Sequence, residues 1–143
     1  MIIRIAYYSG YKGNTKKVAA AMAEMLNIKA ERIGKDKIIF SEPVDLLFIG
    51  CGVYFNKPHK KAAKFIKNLH SSLIKNAAVF GTYGNQANIG EQINKLLQEQ
   101  GIKTLGEPFT CKGDSAGTDN KERPNATDLE NAKAFAENIV TII

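Results

Sequence analysis

The stretch Ser9-Gly10-Tyr11-Lys12-Gly13-Asn14-Thr15 is built from residue types that hold an anion. It follows the apolar run Ile2-Ile3-Arg4-Ile5-Ala6-Tyr7-Tyr8 and leads straight into a helical pattern, Lys16-Lys17-Val18-Ala19-Ala20-Ala21-Met22. A strand, a Gly- and hydroxyl-rich turn and a helix N-terminus in succession make a phosphate site. The glycines admit close backbone approach, the unpaired N–H groups of the first turn point at the anion, and the helix dipole favours negative charge. Ser9, Asn14 and Thr15 add side-chain donors beside the N–H groups of residues 11–15, and Lys12 adds a charge-assisted contact. Asn14 and Thr15 also suit the helix cap, a role compatible with the first.

Other phosphate chemistries fail on spacing. A Walker A loop needs a Gly-Lys pair that does not follow Gly10, and Gly10 with Gly13 does not complete a GxGxxG fingerprint. Cys51 stands where a phosphoacceptor domain would place an aspartate. Lys57 stands where a Cys-x5-Arg phosphatase loop would place its arginine. Neither paired carboxylates nor a Ser/His/Asp set is visible. His59 and His70 read as surface or helix-end residues.

The elements that must position this loop alternate between strand and helix. Residues 2–8 read as a strand, and a helix starts at Asn14 or Thr15 and runs to about Leu26. Its apolar residues Ala19, Met22, Ala23 and Leu26 recur at helical spacing. Residues 28–33 are a weak second strand, and 34–43 a connection of undetermined structure. Asp45 to Cys51 is a continuous apolar run, the mark of a strand buried on both faces. A loop from Cys51 to Pro58 precedes a helix with Ala62, Phe65, Ile66 and Leu69 on one stripe and lysines opposite. Ala77 to Thr82 is the next buried strand, followed by a loop over 83–88. Ile89, Ile93, Leu96 and Leu97 mark a helix stopped at Gly101. Residues 103–111 read as a last strand, at an edge or bulge because of Pro108. After a polar loop, Thr127-Asp128-Leu129-Glu130 reads as a capping box for a final helix carrying Ala132, Phe135, Ala136 and Ile139. The pattern predicts an α/β fold: a three-layer α/β/α sandwich around a five-stranded parallel sheet, formed by residues 1–143 as one domain. Ligands of such sheets bind at the carboxyl ends of the strands, where the loops over 9–14, 51–58 and 83–88 converge.

Composition sets the remaining bounds. No apolar stretch approaches the ~20 residues of a membrane helix. The N-terminus shows no signal-peptide pattern, and two cysteines without CxxC spacing favour a reducing, cytoplasmic setting. The net charge of +6 has its densest source in Lys57, Lys60, Lys61, Lys64 and Lys67. That group reads as a solvated helix face or as a docking surface for an acidic partner; nucleic acid is not an expected ligand.

Three loops together carry a resemblance to the flavodoxin family over essentially the whole chain. Ser9 to Thr15, with Gly13-Asn14-Thr15 as its closest part, resembles the phosphate loop of flavodoxins. Phe48-Ile49-Gly50-Cys51-Gly52-Val53-Tyr54-Phe55 resembles the second flavin loop and Phe80-Gly81-Thr82-Tyr83-Gly84 the third. Arg123-Pro124-Asn125 looks like the family's C-terminal segment. The likeness implies a short-chain flavodoxin-like fold with strand order 2-1-3-4-5 and non-covalent FMN. It implies an electron carrier between redox proteins, with an acidic partner expected here. Tyr54, Phe55 and Tyr83 are then candidates to flank the flavin ring. Gly52, Val53, Thr82 and Gly84 bring backbone to it, with Gly52 near N5, and Asn56, Asn85 and Gln86 bond its pyrimidine side. Two alternatives stand beside this reading: an FMN-dependent NAD(P)H:quinone or other small-molecule reductase, and a binding module without flavin. The chain departs from the family in a first loop one residue longer at Tyr11-Lys12, in its basic charge, and in having no Trp. In the implied strand order Cys51 and Cys111 lie two strand spacings apart, ~9.6 Å, too far for a disulfide.

Overall fold

The computed structural model describes residues 1–85 and 88–143. The first strand, β1 (Ile3–Tyr7), feeds α1 (Asn14–Leu26), and β2 (Ala30–Arg32) returns beside it. Then come β3 (Leu46–Tyr54), a two-residue β4 (Lys57–Pro58) and α2 (Lys60–Lys67). The chain closes with β5 (Ala77–Tyr83), α3 (Ile89–Glu99), β6 (Phe109–Lys112) and α4 (Ala126–Thr141). The main sheet runs β2-β1-β3-β5-β6, all parallel, with β4 antiparallel against the end of β3. With β4 set aside, this is the predicted 2-1-3-4-5 order.

Alternation along the buried strands explains the three layers, because successive side chains leave opposite faces. From β3, Leu47, Ile49 and Cys51 join Ala62 and Ile66 of α2 and Ile89, Ile93 and Leu97 of α3 in one core. Leu46 and Phe48 face the other way, against Val18, Ala19 and Met22 of α1 and Ala132 and Ala136 of α4. Both faces of β3 are thus covered, which is why its sequence is an unbroken apolar run.

Several expectations shift. β3 does not end at Cys51 but continues to Tyr54. There Phe55 and Asn56, at φ 51° and 67°, form a two-residue hairpin turn returning through Lys57, which pairs with Tyr54. Two consecutive left-handed residues are the geometry of the turn that best joins twisted strands. The final helix starts earlier than the Thr127 box implied. Asn125 is the cap: its Oδ1 accepts from Asp128 N at 2.9 Å, and Asp128 Oδ2 accepts from Asn125 N at 2.8 Å. Asn is a better cap than Thr, and Asp128 is further held by Arg123 Nε at 2.6 Å. The strand expected over 103–111 divides into a single bridge at Thr104 and the short edge strand β6, interrupted at Gly106 with φ 65°. Residues 38–40 form no strand; Phe40 packs on Phe65, with the Arg4 guanidinium 4.6 Å above its ring.

Cys51 and Cys111 are both buried and unbridged, and they belong to the two opposite cores. Among the described residues no helix is long and apolar enough to cross a membrane.

Candidate functional site

The cradle begins where β1 ends. Ser9 is buried, and its Oγ accepts from Lys16 N at 3.2 Å, so it caps the first turn of α1 from outside the helix. Its carbonyl accepts from Arg32 Nη2 at 2.8 Å, which ties the loop to the end of β2. Gly13 precedes the helix at φ 72°, a left-handed conformation that a side chain there would strain. Gly13 N donates to Gly10 O at 3.0 Å, closing the turn. The N–H groups of Tyr11, Lys12, Asn14 and Thr15 find no acceptor among the described residues. They are four donors at the positive end of a helix.

A cavity of about 240 Å³ opens above this turn. The first loop lines it with Ser9, Tyr11, Lys12, Gly13, Asn14 and Thr15. The end of β3 contributes Gly52, Val53 and Tyr54, and the end of β5 contributes Thr82, Tyr83 and Gly84. The sequence-predicted loops do converge. Phe55, Asn56 and Asn85 do not line the cavity: the Phe55 side chain is 96% exposed at the hairpin tip, and the Asn56 carbonyl accepts from Gln92 Nε2 at 3.1 Å. Gln86 lies outside the described residues.

A fourth wall was not foreseen. Gly113, Asp114, Ser115 and Ala116, which follow β6, complete the cavity. Asn14 Nδ2 donates to Asp114 O at 2.8 Å, and Lys12 Nζ lies 3.3 Å from Asp114 Oδ2. Lys12, expected to face the anion, is thus already paired with a carboxylate across the mouth. A Cβ at position 113 would fall 2.6 Å from Asn14 Nδ2, so only glycine allows this contact. The Asn14 Oδ1 is buried with no hydrogen-bond partner among the described residues. The segment after β6 carries no motif, and only its topological place, at the carboxyl end of a parallel strand, marked it.

The floor is polar and paired. The hydroxyls of Thr15 and Thr82 are 2.8 Å apart and buried, so each has the other as a partner beneath the cavity. On one flank Tyr54 stands edge-on to Tyr8, with ring centroids 5.8 Å apart, and His59 stacks on Tyr8 at 4.0 Å. Burial, with Cys51 and Tyr8 nearby, pushes the Tyr54 phenol up to about 12, so it stays neutral. Tyr83, half-buried, lines the cavity from β5. Among the described residues no cluster of His, Cys, Asp or Glu is arranged to hold a metal.

This donor set fits a phosphate ester with an aromatic body. Such an anion would meet four N–H groups at a helix start, with Tyr54 and Tyr83 lining the cavity beside it.

A doubly wound parallel sheet with its cradle after β1 places the chain among the open α/β proteins whose crevice lies at the carboxyl ends of the strands. Comparison with known proteins narrows it. The flavodoxin domain model matches residues 5–117. An uncharacterized protein of Methanocaldococcus jannaschii is 34% identical over 146 residues, covering 95% of this chain and 96% of that one. Among solved structures, a flavodoxin from the domain Archaea superposes with TM-score 0.78 at 18% identity, over 98% of this chain and 97% of that one. Rubredoxin oxygen:oxidoreductase from Desulfovibrio gigas superposes with TM-score 0.75 at 18% identity, over 98% of this chain but 35% of that one. The chain belongs to the flavodoxin-domain family.

Proposed function

We propose that this protein binds FMN non-covalently and carries electrons between redox proteins. The observation that carries the reading is the set of four unpaired N–H groups at the start of α1, opening into a cavity flanked by Tyr54 and Tyr83. FMN, when bound, supplies the redox chemistry. The chain's own residues do the rest. Tyr11, Lys12, Asn14 and Thr15 bind the phosphate through backbone N–H groups. Lys12 adds charge once its bond to Asp114 yields. Tyr54 and Tyr83 would flank the flavin and exclude water from it, and the backbone at Gly52 and Gly84, which line the cavity, would approach it. No side chain at the cavity is required as a general acid or base.

Membership of the flavodoxin-domain family supports the reading, as does the fold shared with a solved flavodoxin. The experiment is a titration of FMN fluorescence with purified protein, together with the absorbance of the protein as isolated. Quenching at micromolar protein is expected; its absence, with a colourless protein, would sink the proposal. Direct NAD(P)H oxidation by the FMN-loaded protein alone would move it to the reductase reading.

A further inference from the structure

Charge is unevenly placed along this chain. From Leu46 to Gly90 there is no acidic residue and there are six lysines. The chain holds 20 basic residues, and the 14 outside this segment are matched by 14 acidic ones, so the segment carries the whole net charge of +6. Lys75 is neutralised by Asp45 at 3.3 Å. The other five, Lys57, Lys60, Lys61, Lys64 and Lys67, are exposed, and none forms an ion pair among the described residues.

Two local rules are broken on this face. Lys60 and Lys61 occupy the first turn of α2, which has no acidic residue although the dipole there favours one. Phe55 adopts the left-handed conformation, costly for a bulky residue, and the residue is 96% exposed. The hairpin turn itself serves the fold, but an exposed Phe in its left-handed position and lysines at the helix start do not, and departures of this kind gather at functional surfaces. They are adjacent: Phe55 heads the hairpin that returns through Lys57, and α2 begins three residues beyond Lys57. The hairpin tip is also tethered, through the hydrogen bond from Gln92 to Asn56 O.

We infer that the Phe55 hairpin tip and the lysine face of α2 form one docking surface for an acidic protein. An exposed aromatic beside a cluster of like charges suits an interface with a small apolar contact and a steering charge. The charge is lysine throughout, without the arginine forks that favour nucleic-acid phosphates. Ala62 and Ile66 of α2 are buried in the core, which leaves the helix no apolar side to lay on a membrane. Tyr54, the neighbour of Phe55, lines the cavity, so a partner seated here sits at its rim. That the partner is a redox protein rests on the electron-carrier reading; the docking surface does not.

The test uses a two-iron ferredoxin, a small acidic protein, as probe, with association followed by surface plasmon resonance at about 50 mM and about 300 mM salt. At low salt K57E/K60E/K61E is expected to slow association about 10-fold or more, and high salt to erase the difference. The control K29E/K95E/K103E, with the same change of net charge elsewhere, is expected to stay within about 2-fold. F55G is expected to weaken binding about 10-fold while leaving the urea midpoint unchanged or raised, because the strain is relieved. Equal loss in the control, no binding at low salt, or tighter lysine-dependent binding to a DNA duplex or to phosphatidylserine vesicles would each overturn the inference. FMN titration of the same variants reads the other proposal. Lysine-dependent ferredoxin binding without FMN quenching would remove the electron carrier and leave the surface; quenching without such binding would remove the surface alone.

Discussion

Thr15 and Thr82 share a single buried hydrogen bond of 2.8 Å that joins the start of α1 to the end of β5 beneath the cavity. Replacing either by Val leaves the other hydroxyl buried and unpaired, which costs about 1–3 kcal/mol. Urea unfolding of T15V and T82V is expected to show such losses. The double variant should lose clearly less than their sum, because it leaves no orphan. Strict additivity would mean that the pair carries no coupling.

Lys12 and Asp114 make a second prediction. Asp114→Asn frees the lysine and removes a negative charge from the mouth of a site proposed to hold an anion. FMN is expected to bind several-fold tighter at low salt, and riboflavin, which lacks the phosphate, is expected to be unaffected. Lys12→Ala should act in the opposite sense on FMN alone. An equal effect on both ligands would place the change in the loop and not in its charge.

Acid stability follows from Asp128. Burial alone would raise its carboxyl, but hydrogen bonds from Arg123 and Asn125 outweigh burial and hold it below the usual range. A carboxyl depressed in the folded state stabilises above its unfolded value, and that contribution is lost as pH falls through the folded value. Thermal melts of wild type and Asp128→Asn should therefore differ at neutral pH and converge at strongly acid pH. At neutral pH, Asn125→Ala is expected to cost about 1 kcal/mol through the lost cap.

His59 works in a different window. Its Nδ1 accepts from Lys61 N at 3.1 Å, capping α2, and burial together with Lys61 and Lys60 lowers its pKa. The neutral form is thus the folded form, so stability falls as pH drops below the unfolded value of about 6.5. An NMR titration should find His59 below its ordinary range. His59→Asn, which caps without titrating, should remove that part of the loss between about pH 7 and pH 5. A titration at or above the ordinary value would refute the assignment.

The alternation of strand and helix was legible because the runs from Asp45 to Cys51 and from Ala77 to Thr82 are unbroken and apolar, and the glycines around Asn14 mark the cradle; the strand order followed from the resemblance of the three loops to flavodoxins. The hairpin at Phe55-Asn56 was not legible: it lacks the Asn-Gly signature, and its left-handed Phe goes against local preference. Asp114 was hidden for another reason. Its role exists only in three dimensions, as a partner to Lys12 and Asn14 about a hundred residues away. The Thr127 box failed because two good capping residues lie close together; Asn125 is the better cap, and Arg123 holds the Asp128 carboxylate that closes its box.

Cys51 and Cys111 sit on opposite sides of the sheet, with burial pushing each thiol up to about 12. At neutral pH both sulfurs are then held as thiols, and the reactive thiolate is scarce at either site. An electron carrier of the proposed kind would meet peroxide and disulfides, and it is the thiolate, not the thiol, that attacks both. The chain thus keeps its sulfur chemically silent: a thiol dye should count none in the folded protein and two once it is denatured.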